Sequence, residues 1–124
     1  MYQHIPHSAH VVSPNGTIKF EGAPYGGEVS MFIMDSPPGH GSKLHRHPYS
    51  ETWIVRGGVA EFTAGSATMR AVAGDIFIVP AGVWHRFENV GEEKLDLICI
   101  HAAGTMVQEN FEDLAADAAD AAYA

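Results

Sequence analysis

Apolar and polar residues alternate with a period near two through most of residues 17–101, in short runs separated by glycine and proline. Successive side chains of a strand point to opposite faces, so runs of this kind predict half-buried strands. They fall at 17–20, 29–34, 52–56, 59–63, 67–72, 76–79, from His85 onward, and 94–101. The breaks between them carry turn chemistry. Gly57-Gly58 tolerates positive φ and predicts a tight hairpin joining the strands on either side of it. Ala64-Gly65-Ser66 and Gly74-Asp75 predict two further turns, and Ser36-Pro37-Pro38-Gly39 ends the strand before it. Val79-Pro80-Ala81-Gly82 suits a type I turn with proline second and glycine fourth. Many short strands with regular turns imply an antiparallel barrel or sandwich.

The period changes near residue 105. Thr105 and Gln108 have capping-box spacing, and Val107, Phe111, Leu114 and Ala118 recur at helical intervals. A helix is therefore expected from about Met106, laying its apolar stripe on the barrel or on a second subunit. The repeat Ala115-Ala116-Asp117, Ala118-Ala119-Asp120 favours helix but offers little to bury, so a frayed end is expected. At the other end, residues 1–16 read as an arm, mobile or exchanged with a partner. Its His4, His7 and His10 match no familiar ligand spacing. The organisation is thus an arm (1–16), a barrel (17–104) and a C-terminal helix with its tail (105–124).

Within the barrel, His45, His47 and Glu51 place three metal-binding side chains in seven residues. His45 and His47 project from one face of a strand, and Glu51 shares their parity if the chain resumes a strand after Pro48. His85 supplies a fourth candidate after the Pro80-Ala81-Gly82 turn. Three neutral nitrogens and one carboxylate oxygen suit one divalent transition metal ion, among Fe, Mn, Zn, Ni, Co and Cu, with Fe or Mn favoured. Four ligands on an octahedral ion leave two neighbouring positions for substrate, water or dioxygen. That is an open arrangement, suited to chemistry.

The two stretches that carry these ligands resemble the two signature motifs of the cupin superfamily. Gly39, His45, His47, Glu51 and Gly58 satisfy G-x5-H-x-H-x3-E-x6-G, and Gly74, Pro80, Gly82, His85 and Asn89 satisfy G-x5-P-x-G-x2-H-x3-N. The resemblance implies a small single-domain cupin: an all-β antiparallel double-stranded β-helix, or jelly-roll barrel, here with a short C-terminal helix. Cupins include dioxygenases, decarboxylases, isomerases, cyclases and ligand-binding regulators, so the fold alone does not fix the reaction. The leading expectation is a dioxygenase-type oxidoreductase acting on a small organic molecule. The alternatives are a metal-dependent isomerase, cyclase or decarboxylase, and a non-catalytic metabolite-binding module. Glu51 argues against the thiol dioxygenases of the superfamily, which typically lack that ligand.

Trp53 and Val55 share the parity of Glu51, and Phe87 that of His85, so all three are candidates to line a substrate cavity. Glu51, Tyr49 and His101 are the candidate catalytic groups for proton transfer or substrate orientation. Cys99, flanked by Ile98 and Ile100, reads as a buried small hydrophobe.

Length and charge narrow the partners. A chain of 124 residues is one domain's worth and can bury a core without disulfides. A net charge of −8, with seven basic residues against fifteen acidic, excludes a phosphate-backbone interface, so no nucleic acid is expected. No apolar run reaches membrane-span length and no export signal opens the chain, so no membrane contact and a cytoplasmic location are expected. A homodimer is expected, because a small barrel has sheet edges to protect and Val107, Phe111 and Leu114 need a surface to cover.

Overall fold

The computed structural model describes residues 1–114. Ten strands follow in order: β1 (Ile18–Glu21), β2 (Ser30–Ser36), β3 (His45–Arg46), β4 (Glu51–Gly57), β5 (Val59–Ala64), β6 (Ala67–Val72), β7 (Ile76–Val79), β8 (His85–Asn89), β9 (Leu95–His101) and β10 (Glu109–Asn110). They form two antiparallel five-stranded sheets, β1-β2-β9-β4-β7 and β10-β3-β8-β5-β6, which face one another as a jelly roll. Short 3₁₀ turns at His7–Ala9 and Ala23–Tyr25 flank β1.

Alternation sets which side chains enter the space between the sheets. On β9, Leu95, Leu97, Cys99 and His101 point inward; on β4, Glu51, Trp53 and Val55; on β8, His85, Phe87 and Asn89. Along each of these strands the inward series runs from apolar or structural residues at one end to ionisable ones at the other. The barrel therefore has an apolar closed end and a polar end. Burying Val55, Leu95 and Leu97 contributes about 1.5–3 kcal/mol each, which offsets part of the cost of sinking five ionisable side chains at the opposite end. Asn89 acts as a clamp: its Nδ2 donates to the carbonyls of Ser36 (2.9 Å) and Glu93 (2.8 Å), and its Oδ1 accepts from Gly91 N–H (3.0 Å).

Three local expectations are corrected. The Gly57-Gly58 pair does not close a hairpin. β4 pairs with β7 and β9, whereas β5 pairs with β6 and β8, so the chain crosses here from one sheet to the other. The crossing needs the same glycine chemistry as a hairpin: Gly58 has φ +86°, and a Cβ on it would lie 2.7 Å from the Lys94 carbonyl oxygen. The turn before β8 is shifted by one residue, with Val83 N–H donating to Pro80 O (3.3 Å) and Gly82 at φ +80° in the third position, as a type II turn requires.

The third correction concerns residues 105–110, which are extended rather than helical. Their polar groups are taken elsewhere: Met106 N–H donates to Glu21 Oε2 (2.8 Å), Val107 N–H to the Tyr49 hydroxyl (3.1 Å), and β10 pairs with β3. Gln108 does not cap Thr105; its Nε2 donates to Asn110 Oδ1 (2.7 Å). Helix begins only at Phe111. The predicted alanine-rich continuation lies outside the described residues. In the N-terminal arm, Val12 bridges to Ile18, so this part of the arm extends the first sheet.

Candidate metal centre and pocket

His45, His47, Glu51 and His85 converge at the polar end of the barrel, with their ligand atoms all within 4.8 Å of one another. All four are buried. Convergence does not arise from shared parity along one strand. β3 lies in one sheet and β4 in the other, and Glu51 reaches the histidines across the gap between them. His45 and His85 are direct cross-strand partners on β3 and β8, and the Val83 carbonyl left by the type II turn helps orient the latter.

Each of the three imidazoles is fixed by a backbone carbonyl. Nδ1 of His45 lies 2.6 Å from Lys43 O, that of His47 2.7 Å from Val107 O, and that of His85 2.9 Å from Val83 O. A carbonyl can only accept, so Nδ1 carries the hydrogen and Nε2 keeps its lone pair. The Nε2 atoms of His47 and His85 are buried without a hydrogen-bond partner, although the latter is 2.8 Å from Glu51 Oε2, off the line of a hydrogen bond. Orphaned buried acceptors are costly unless something satisfies them. A divalent cation at their meeting point does so, and the donor set fits it.

Protonation is already set for a cation. Burial lowers the pKa of His45 to about 4, against a smaller opposing effect of the Lys43 carbonyl, and burial likewise lowers that of His47. For Glu51, burial alone would raise the pKa, but the close imidazoles of His101 and His85 outweigh it and hold the carboxyl well below its usual range. These His are neutral and this Glu ionised at pH 7, so an ion displaces few protons. A stability consequence follows for metal-free protein. His45 protonates near pH 6.5 when unfolded but only near 4 when folded, so unfolded chains bind more protons between those values. Metal-free protein is expected to lose stability as pH falls from about 6.5 to about 4, and to go on losing it below, where Glu51 protonates in the unfolded chain before it does in the folded one; denaturant midpoints measured across that range check this.

A fourth histidine belongs to the cluster in a different role. His101, paired with Glu51 across β9 and β4, has Nδ1 2.6 Å from the Tyr49 hydroxyl and Nε2 2.8 Å from Glu51 Oε1. Tyr49 accepts from Val107 N–H, and its own hydrogen can be donated to His101 Nδ1. With that direction the hydrogen of His101 sits on Nε2, on the side of the carboxylate, the tautomer opposite to the other three. Trp53 Nε1–H donates to Glu51 Oε2 (2.6 Å). Glu51 is thus held by the Trp53 N–H, while His101 Nε2, though close to its other oxygen, lies off the line of a hydrogen bond.

A cavity of about 190 Å³ opens beside this cluster, bounded there by His45 and Glu51. Trp53 and Phe87 line it, as anticipated, but Val55 does not: it packs in the apolar core. Tyr49 and His101 are likewise outside its lining and touch the cluster from behind. Sequence reasoning missed Phe32 and Met34 from β2 and Gln108 from the C-terminal segment. The β2 pair is visible in the parity of that strand; Gln108 was obscured by the helical pattern. Cys99 is buried and also lines the cavity, with its thiol pKa pushed up by burial.

The segment at 106–110 is therefore part of the site. It supplies the Val107 carbonyl that orients His47, the Val107 N–H that orients Tyr49, and Gln108. Ending the chain after Gly104 is expected to weaken metal binding by about 10- to 100-fold, the range for losing groups that orient ligands, as read by competition with a coloured chelator. Unchanged affinity would mean that Val107 contributes nothing to His47.

The family model for the cupin domain matches residues 32–101. The chain belongs to the cupin family. It is 32% identical over 74 residues to the xanthan biosynthesis protein XanB of Xanthomonas campestris pv. campestris, covering 57% of this chain and 16% of that protein. It is 31% identical over 65 residues to the Streptomyces coelicolor protein SCO3923, covering 52% of this chain and 60% of that one. Among solved structures, this cupin superposes on Bacillus subtilis oxalate decarboxylase, a protein with Mn(II) centres, with a TM-score of 0.73 at 21% identity, over 85% of this chain and 30% of the other. It also superposes on an oxalate oxidase in complex with the substrate analogue glycolate, with a TM-score of 0.67 at 23% identity, over 80% and 57% of the two chains. At these identities the structural matches establish the fold. Among the described residues of this cupin, no helix is long and apolar enough to cross a membrane.

Proposed function

We propose that this cupin is a metal-dependent enzyme acting on a small organic molecule, a dioxygenase-type oxidoreductase with Mn(II) or Fe(II) held by His45, His47, Glu51 and His85. The observation that carries the reading is the pairing of orphaned, pre-oriented imidazole nitrogens with a cavity bounded by His45 and Glu51 of the same cluster. Mn(II) is favoured alongside Fe(II) by the resemblance in fold to an enzyme with Mn(II) centres.

The bound ion would supply a Lewis acid for a substrate oxygen and, in the oxidative version, an electron path to dioxygen. The residues of the chain select what reaches it. The cavity is smaller than the roughly 300–1,000 Å³ typical of sites for drug-sized ligands, so the substrate is small. Its lining includes Phe32, Met34, Trp53 and Phe87 but no Lys or Arg. A substrate with one oxygen-bearing, metal-binding end and an apolar remainder fits, whereas a second free carboxylate would be left without a counter-charge. Gln108, Ser36 and Ser42 offer hydrogen bonds along the wall. Glu51, ionised and backed by His101 and Tyr49, is the group placed to hold a proton taken from substrate.

The test is oxygen uptake by the Mn(II)- and Fe(II)-loaded protein against a panel of small enolic, hydroxy and aromatic acids. Turnover with oxygen consumption supports the dioxygenase reading. Turnover without it points to an isomerase, cyclase or decarboxylase, and tight binding without any turnover to a metabolite-binding module.

A further inference from the structure

The inward rows of the first sheet run across its strands in register. One row joins Glu51 on β4 to His101 on β9, Ser30 on β2 and Glu21 on β1; the adjacent row joins Trp53, Cys99, Phe32 and Lys19 on the same four strands. Trp53, Cys99 and Phe32 of this second row line the cavity. The row also grades from inside to outside: Trp53 and Cys99 are buried, Phe32 is half-buried and Lys19 is exposed. Where the cavity ends, a wider groove of about 570 Å³ takes over, with Phe32, Asn15 and Thr17 in the walls of both and Lys19 in the groove alone. Cavity and groove therefore form one continuous track that starts beside Glu51 and ends at a lysine.

The outer end of the track is held by its own hydrogen bonds. The Ser13 hydroxyl accepts from Thr17 N–H (3.0 Å) and donates to Asn15 Oδ1, while Ser13 N–H donates to Thr17 O (2.9 Å) and Gly16 N–H to Ser13 O (2.9 Å). With its Oδ1 engaged by Ser13, Asn15 has its two amide hydrogens left to offer. Among the described residues, Lys19 has one ion-pair partner, Glu21 at 4.0 Å, and the other oxygen of that carboxylate accepts from Met106 N–H (2.8 Å). The groove thus presents N–H donors and one positive charge, in a chain whose net charge is −8.

We infer that this groove is a second subsite and that the substrate is an elongated acid, with an oxygen-bearing head at the metal, an apolar middle over Cys99 and Phe32, and a terminal carboxylate held by Lys19 and Asn15. The inference rests on the metal centre proposed above and extends that site from the cavity into the groove. Inside the cavity a carboxylate away from the ion meets no Lys or Arg, so a second charge is tolerated only beyond Phe32. The register sets the length. Three strand spacings of about 4.8 Å put the backbone of Lys19 about 14 Å from that of Trp53, and the lysine stem, lying along Phe32, spans part of that distance. A short apolar chain is what remains to bridge head and carboxylate. One lysine with neutral amide donors matches a singly charged carboxylate better than a phosphate dianion.

The test is calorimetric titration of the Mn(II)-loaded full chain with two matched series of metal-binding probes: linear hydroxamates ending in a carboxylate, and the same hydroxamates ending in a methyl group, each at increasing spacer length. Wild type is expected to favour the carboxylate-ended probe by about fivefold over a narrow range of lengths, the scale of a partly exposed charge pair, and to show no such preference at the shortest spacers. Raising the salt concentration should shrink the ratio. Lys19→Met should abolish it, and Lys19→Arg should keep it. Lys94→Met, which removes an equal charge from outside the groove, should also keep it. Equal affinities at every length, a preference that survives Lys19→Met, or one that Lys94→Met removes as well overturns the proposal and leaves the metal centre standing. If neither series binds, the metal-centred reading itself fails and this inference fails with it.

Discussion

Replacing His47 or His85 with alanine is expected to reduce bound Mn(II) or Fe(II) from about one equivalent to below about a tenth under conditions that saturate wild type. Each change removes one of four ligands, and the remaining three no longer enclose the ion. Stability should follow occupancy. An ion free at about 1,000 times its Kd stabilises the folded chain by about 4.1 kcal/mol, which for a domain of this length raises Tm by roughly 10–20 °C. Chelation should remove that increment from wild type, whereas the melting temperature of the alanine variants should not change when metal or chelator is added. In the metal-free state the substitution relieves a buried Nε2 that has no partner but also deletes the Nδ1 bond to a backbone carbonyl and the buried volume of the ring, so the variants are expected to start below metal-free wild type. Elemental analysis and paired melts with and without chelator check both parts.

Changing Glu51 to glutamine is expected to separate binding from chemistry. The amide oxygen remains a ligand, so the ion stays with affinity lowered by about tenfold, while turnover falls by about 10²- to 10³-fold. Two causes act together. The negative charge that moderates the ion and can hold a substrate proton is gone. The amide also carries two donors where the carboxylate has only acceptors, and both Trp53 Nε1–H and His101 Nε2 face it, so the side chain cannot satisfy both. Full metal with full activity in the variant would reduce Glu51 to a structural ligand. Tyr49→Phe separates the contributions further: it leaves the ligands in place but frees His101 to turn, and a fall in turnover with unchanged metal content is the expected sign of its positioning role.

Much of this was legible in the sequence because the site depends on short-range spacing. The two-residue interval from His45 to His47, the four-residue interval from His47 to Glu51, and the fixed distance from the Pro80 turn to His85 placed all four side chains in one cluster. The reason given by parity alone was incomplete: Glu51 meets the histidines from the opposite sheet, and the Gly57-Gly58 crossing that continues this arrangement looks like a hairpin because both need positive φ. Strand positions were legible for the same local reason, to within a residue or two. The C-terminal segment was not. Its helical periodicity competes with hydrogen bonds to Glu21, Tyr49, His47 and β3, which lie 58 to 85 residues away for Tyr49, His47 and Glu21 and are invisible to any local pattern. Val55 was misassigned because parity says which way a side chain points but not how far along the barrel the cavity extends.

The most direct test of the metal centre is anomalous diffraction from crystals of the untagged chain grown with Mn(II). A single strong peak is expected at coordination distance from Nε2 of His45, His47 and His85 and from the Glu51 carboxylate, with His101 outside that distance. A peak at His4, His7 or His10 with none at the barrel site, or a barrel ion bound through His101 in place of one of the four, would contradict it.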